Sequence, residues 1–159
     1  TIGKFLESLL CLFLLITKRH KEEVVLMIHY SNHPPNVKDY CELRVKAGMS
    51  PKSEAAAQKG LPHACFNITI YEESTLIGMG RVIGDGGTAF QIIDIAVHPY
   101  YQGQGFGKEI LKQIMSFIEH HAEKGTYVSL IADYPADQLY KKFGFQSTEP
   151  KSGGMFKKY

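Results

Sequence analysis

Hydrophobic and polar positions along this chain change period from block to block, and each change marks an element. Met27 to Tyr30 reads as a first strand, followed by a loop over Ser31 to Asn36 that holds Pro34 and Pro35. Val37 to Ala47 has the spacing of a short helix. Ser50 and Pro51 form an N-cap and N1 pair that opens an Ala-rich helix, ended by Gly60. Phe66 to Tyr71 alternates as a strand does, Glu72 to Ser74 is a turn, and Leu76 to Ile83 is a second strand of the same hairpin. After Gly84-Asp85-Gly86-Gly87, the run Ala89 to Val97 is almost continuously apolar, which predicts a central strand covered on both faces. Phe106, Ile110, Ile114, Phe117 and Ile118 recur at helical spacing, so Gly105 to His121 is an amphipathic helix, with Gly125 as its stop. Tyr127 to Ala132 is a further strand, Pro135 to Phe143 a short helix and Met155 to Tyr159 a last strand. The order β-α-α-β-β-β-α-β-α-β predicts an α/β (α+β) domain with a mixed, mostly antiparallel central sheet flanked by helices.

Residues 1–26 differ in character from this domain, which occupies residues 27–159. Leu9 to Ile16 is a nearly pure apolar run, closed by Lys18, Arg19, His20 and Lys21. A membrane-spanning helix needs about 20 apolar residues, and Glu7 and Lys18 cut this run short. An export signal carries its charge mainly before the apolar run and a small-residue cleavage site after it, whereas here the basic cluster follows the run and no Ala-x-Ala pattern is present. The segment therefore reads as sequence upstream of a natural start at Met27, or as a helix that packs on a second copy to form a homodimer.

Composition narrows the classes. The 159 residues suit one domain, and 44% hydrophobic with 21% charged residues is ordinary for a folded globular chain. Eighteen Lys and Arg against sixteen Asp and Glu leave +2, short of the basic excess of a nucleic-acid binder. Cys11, Cys41 and Cys65 are odd in number and lack metal-ligand spacing, so they read as free thiols in a reducing compartment, the cytoplasm. His120 and His121 are adjacent and point about 100° apart on a helix, so they do not form a metal-binding pair. No metal is expected.

The most informative string is Ala96-Val97-His98-Pro99-Tyr100-Tyr101-Gln102-Gly103-Gln104-Gly105-Phe106-Gly107-Lys108, where a buried strand passes through a glycine-rich turn into a long helix. Unpaired N–H groups at a helix N-terminus and the positive end of its dipole attract phosphate, and glycines let it approach. A Walker A loop is excluded because Glu109 follows Gly107-Lys108 and Gln102 stands where the first glycine belongs. The dinucleotide fingerprint fails because Lys108 occupies its third glycine position.

Gln102-x-x-Gly105-x-Gly107 resembles the acetyl-coenzyme A signature of the GNAT (Gcn5-related N-acetyltransferase) superfamily. Ala136, Leu139-Tyr140, Gly144 and Phe145, about 30 residues on, are similar to that family's second signature, and the element order over residues 27–159 matches its fold. Asp133 departs from the pattern, since many members have Asn there. The resemblance implies that acetyl-CoA places its pyrophosphate on the N–H groups from Gly103 through Gln104, Gly105, Phe106 and Gly107 to Lys108, with Gln102 shaping the loop. It implies that the pantetheine arm pairs with the main chain of Ile95, Ala96 and Val97. It further implies that this strand and the next splay apart to seat the thioester.

Direct attack of a neutral amine on the thioester is then the expected reaction. An alkylamine of pKa about 10.4 is neutral in about one molecule in a thousand at pH 7, which costs roughly 4–5 kcal/mol unless a base assists. Asp94 is the first candidate base, because a charge inside an apolar strand is either functional or satisfied by a neighbouring basic side chain. Asp133, at the end of the next strand, is the second. Gln91 can position a water. Tyr140 is the expected general acid for the departing thiolate, a role the resemblance places at the sulfur. Arg81 and Asp85 flank the Gly84 turn as structural residues or acceptor contacts, and Met49 to Pro62 walls the acceptor pocket.

The expected acceptor is a small primary amine (a polyamine, an arylalkylamine or an amino sugar), since no charged strip marks a peptide groove. A protein amine is the alternative. A non-catalytic acyl-CoA sensor would need neither Tyr140 nor a carboxylate at the thioester.

Overall fold

The structure, a computed structural model, describes residues 27–158; the apolar segment 1–26, its homodimer expectation, Cys11 and Tyr159 lie outside the described residues. Five strands form one sheet in the order β1-β2-β3-β4-β5, with β1 Ile28–Ser31, β2 Phe66–Glu72, β3 Thr75–Gly84, β4 Ala89–Val97 and β5 Tyr127–Leu130. The first four pair antiparallel, and β4 pairs β5 in parallel. Four helices complete the described fold: α1 Val37–Lys46, α2 Glu54–Gly60, α3 Phe106–His121 and α4 Asp137–Lys141.

The amphipathic stripe read from the sequence builds one face. Ile110, Leu111 and Ile114 of α3 are fully buried and Ile118 nearly so, against Ile68, Ile70, Val82, Phe90 and Ile92 of the sheet. Each such side chain contributes about 2 kcal/mol by leaving water. On the opposite face Tyr40 and Leu43 of α1, Ala57 of α2 and Leu61 pack on Leu76, Met79 and Ala96. Gly80 lets α3 approach β3, since a Cβ there would stand 2.7 Å from Ile110 Cγ2 and 2.9 Å from Ile114 Cδ1. Gly80→Ala is expected to lower stability by about 1–3 kcal/mol through overpacking, read from the denaturant midpoint at unchanged slope.

The central strand changes face part-way. Phe90 and Ile92 point to α3, and strict alternation would send Asp94 and Ala96 the same way. Instead Ala96 joins Tyr40, Leu43 and Met79 on the other face, while Ile95 and Val97 pack toward α3. The cause is a bulge: β4 and β3 pair at Ile93↔Arg81 and again at Ala96↔Met79, so Asp94 and Ile95 oppose Gly80 alone, and Asp94 takes φ +57.

Three expectations are corrected. The second helix begins after Ser53, whose Oγ accepts from Ala56 N at 3.1 Å, and Ser50 does not cap it. Ser50 lies upstream because its carbonyl accepts from Arg44 Nε and Nη2 at 3.1 and 2.9 Å, which ties that stretch to α1. Gly60, at φ −86, remains helical and leads into the 3-10 turn Leu61–His63. No strand forms over the described residues 155–158, where Met155 and Phe156 are more than four-fifths exposed. Four residues without a paired edge lack the cross-strand contacts that make β-propensity effective.

Candidate active site

The glycine-rich string is held in shape from both sides. His98 N donates to Ile77 O at 2.8 Å, Pro99–Tyr101 makes one 3-10 turn, and the Tyr101 hydroxyl donates to the Glu72 carboxylate at the end of β2. Gln102 Nε2 reaches back to Val97 O at 3.0 Å and Gln104 Nε2 to Tyr100 O at 3.1 Å. Side-chain amides thus occupy the carbonyls of the turn. The first helical bond runs from Glu109 N to Gly105 O, and the N–H groups from Gly103 to Lys108 find no backbone acceptor among the described residues. Gly103 and Gly105 sit at φ +75 and +93, and a Cβ on either would meet no protein atom within 4 Å. Glycine is needed here for the left-handed backbone, and the space beside it is open. Six N–H groups with no backbone acceptor, in a turn with open space at Gly103 and Gly105, fit a pyrophosphate, so the residues present suit acetyl-CoA.

The gap expected between the strands is present. Parallel pairing of β4 with β5 ends at Ile92↔Leu130, leaving the edge of β4 from Ile93 to Val97 without a β5 partner. Ile95, Ala96 and Val97 therefore line one side of the opening with no β5 partner, and the Val97 carbonyl is taken by Gln102 Nε2.

A cavity of about 520 Å³ lies beside β5 and α4. Gln91, Tyr127, Ser129, Tyr134, Tyr140 and Glu149 are among the residues that line it. Tyr140 packs partly against the α3 core and makes an edge contact with Phe145 at 6.3 Å. Burial, and secondarily the Asp133 charge, raise its phenol above the ordinary value of 10.0. Asp133 is exposed just beyond β5, between the cavity-lining residues Ala132 and Tyr134.

Asp94 lies elsewhere. Its carboxylate is 7% exposed on the α1 face, with one oxygen ion-paired to Arg44 Nη1. The other accepts from Arg81 Nε at 2.8 Å, Arg81 Nη2 at 2.7 Å and Tyr40 Oη at 3.0 Å. This corrects the expectation of Asp94 as the base: a carboxylate enclosed by two guanidiniums and a phenol is committed to them and is not presented to the opening. The same cluster gives Arg81 a structural role. Asp85 likewise caps its own turn, accepting from the N–H groups of Gly87, Thr88 and Ala89 and from the Thr88 hydroxyl, which together hold its carboxyl well below the usual carboxylate range.

Sequence reasoning passed over Tyr40 and Arg44, although their i, i+4 spacing beside Leu43 puts all three on the buried face of α1. It also passed over Tyr127, Tyr134 and Glu149, which nothing local distinguishes from surface residues. Among the described residues no group of three His, Cys, Asp or Glu could hold a metal, and no helix is long and apolar enough to cross a membrane.

A family model of the acetyltransferase (GNAT) domain matches residues 64–147, just over half of the chain and the span that holds the loop, the gap and Tyr140. The chain belongs to the GNAT acetyltransferase family. A solved structure from meticillin-resistant Staphylococcus aureus, described as a protein of unknown function and probable acetyltransferase, is 59% identical. It covers 84% of this chain and 100% of its own, with a TM-score of 0.82. An uncharacterized N-acetyltransferase, ycf52, from Pyropia yezoensis is 35% identical over 83 residues, 52% of this chain and 47% of that protein. The histone acetyltransferase TAP1 of Glycine max is 33% identical over 85 residues, 54% of this chain and 36% of its own. The GNAT chain described here spans about half the length of the curated relatives it matches, or less.

Proposed function

We propose that this chain transfers the acetyl group of acetyl-CoA to the primary amine of a small molecule, by direct attack within a ternary complex. The observation that carries the reading is the β4 edge left without a β5 partner, which leads directly into the glycine cradle, with a 520 Å³ cavity beside β5 and α4. A cavity of that size suits a small ligand, and tyrosines together with the Glu149 carboxylate in its lining suit an ammonium group arriving from water.

The Gly103–Lys108 N–H groups bind the pyrophosphate, Gln102 holds the turn, and the main chain of Ile95, Ala96 and Val97 orients the pantetheine arm. Backbone N–H near Val97 stabilises the tetrahedral oxyanion formed when the amine attacks. Asp133, directly or through a water placed by Gln91, takes the proton of the incoming ammonium. Tyr140, kept protonated by its raised pKa, donates to the departing thiolate. Cys41 and Cys65 are unpaired, which supports a reducing compartment such as the cytoplasm.

Calorimetric titration with acetyl-CoA, NAD and ATP, followed by a thiol-release screen against polyamines, arylalkylamines, amino sugars and a lysine peptide, tests the reading. Micromolar binding of acetyl-CoA alone and thiol release with a small amine are the expected outcome. Absence of binding by the folded chain overturns it. Release with the peptide alone would favour a protein acceptor, the second reading, which the similarity to the soybean protein named a histone acetyltransferase supports.

A further inference from the structure

Asp94 combines three properties. It is a charged residue 8% exposed, it adopts a left-handed φ of +57, and it sits where β4 carries an extra residue against β3. A side chain with a Cβ avoids that backbone region unless something holds it there, and Asp tolerates it better than most. The holding groups come from distant parts of the chain: Tyr40 and Arg44 from α1, and Arg81 from β3. The two arginines reach further, Arg44 to Ser50 O and Arg81 Nη1 to Gly60 O at 3.5 Å, so one carboxylate joins α1, both ends of the 50–60 stretch and the sheet.

The bulge held in this way begins the segment that would meet the pantetheine arm. Pairing with β5 stops at Ile92, two residues before Asp94, and neither Asp94 nor Ile95 has a register partner in β3. Without the extra residue, Ala96 would turn into the α3 core and the free edge of Ile95 to Val97 would shift by one position, reversing which main-chain groups face the opening.

We infer that Asp94 is a positioning residue, whose carboxylate, clamped by Arg44, Arg81 and Tyr40, fixes the β4 bulge and thereby the main-chain edge on which the acyl donor is oriented. The inference rests on the proposed assignment of Ile95 to Val97 to the pantetheine arm. It replaces proton transfer by Asp94 with backbone alignment, and the two make different predictions.

Asp94→Asn keeps the side-chain shape and the tolerance of a left-handed φ while removing the charge that both guanidiniums hold. Acetyl-CoA binding by the unaltered chain is measured first, by calorimetry. No binding there overturns the donor site itself and the clamp with it, whereas binding there leaves the variant to judge the clamp alone. The expected result for Asp94→Asn is a KM for acetyl-CoA raised about tenfold, a lowered kcat and an acidic limb of the kcat/KM profile at unchanged pH. Faster amide exchange over residues 93–97 accompanies it. Unchanged KM and exchange, or loss of the acidic limb, overturns the inference, the latter in favour of a base. If Asp94→Asn does not fold, Tyr40→Phe removes one hydrogen bond and leaves both ion pairs. The expected change is then in the same direction at about threefold, and unchanged KM with unchanged exchange overturns the inference.

Discussion

Gly105→Val is expected to abolish measurable acetyl-CoA binding, a loss of more than about a hundredfold, while the chain still folds. Two effects act together. Gly105 sits at φ +93, which a β-branched residue resists, so the first turn of α3 would be pushed out of shape. A side chain that kept the backbone in place would project into the open space beside the loop, where the phosphates are proposed to lie. Each charge-assisted hydrogen bond lost from a phosphate contributes about 1.5–3 kcal/mol, so displacing two is enough. Core residues stay untouched, because no protein atom lies within 4 Å of the added Cβ. The unfolding midpoint should therefore fall by only a few degrees, and calorimetry on the folded variant provides the measurement. Retained micromolar affinity would show that the glycines serve the turn alone.

Tyr140→Phe should separate chemistry from binding. The ring packs beside Phe145 and the α3 core, so its removal is not mimicked by Phe, which keeps that packing and loses only the hydroxyl. Turnover is expected to fall about a hundredfold or more, the usual worth of a positioned acid, with acetyl-CoA affinity nearly kept. The pH dependence carries a second signature. Burial first, and then the Asp133 charge, raise the phenol above 10.0, so the proton-donating form persists through neutral and moderately alkaline pH. An alkaline loss of kcat in the unaltered chain should therefore appear only above about pH 10 and be missing from the residual rate of the Phe variant. Unchanged turnover would remove the acid role from Tyr140.

These two residues were readable because their signals are local. Gln102, Gly103, Gly105 and Gly107 lie within six positions between a strand and a helix, and such a loop must bend and expose N–H groups whatever surrounds it. Tyr140 stood in a second short motif. The β2–β3–β4 meander was likewise legible, since its turns carry Glu73-Ser74 and the Gly84–Gly87 cluster between apolar runs. Asp94 was harder. Its charge inside an apolar strand announced something unusual, but its partners stand 54, 50 and 13 residues away, and no spacing rule joins such positions. Ser50 and Ser53 show the same limit on a small scale: both precede a helix-forming run, and the choice between them follows from the hold of Arg44 on the Ser50 carbonyl.

By itself the sequence determined the order of the elements from β1 to α4, the amphipathic face of α3, the shape of the glycine turn and the family to which the chain belongs, because periodicity, turn chemistry and short motifs act over a few residues. The tertiary structure alone decided that β4 bulges at Asp94, that this carboxylate is enclosed by Arg44, Arg81 and Tyr40, and that pairing of β4 with β5 stops at Ile92. The physical reason is that side chains far apart in sequence compete for the same buried charge and the same strand edge, and that competition is settled only when the sheet and both helical layers are packed.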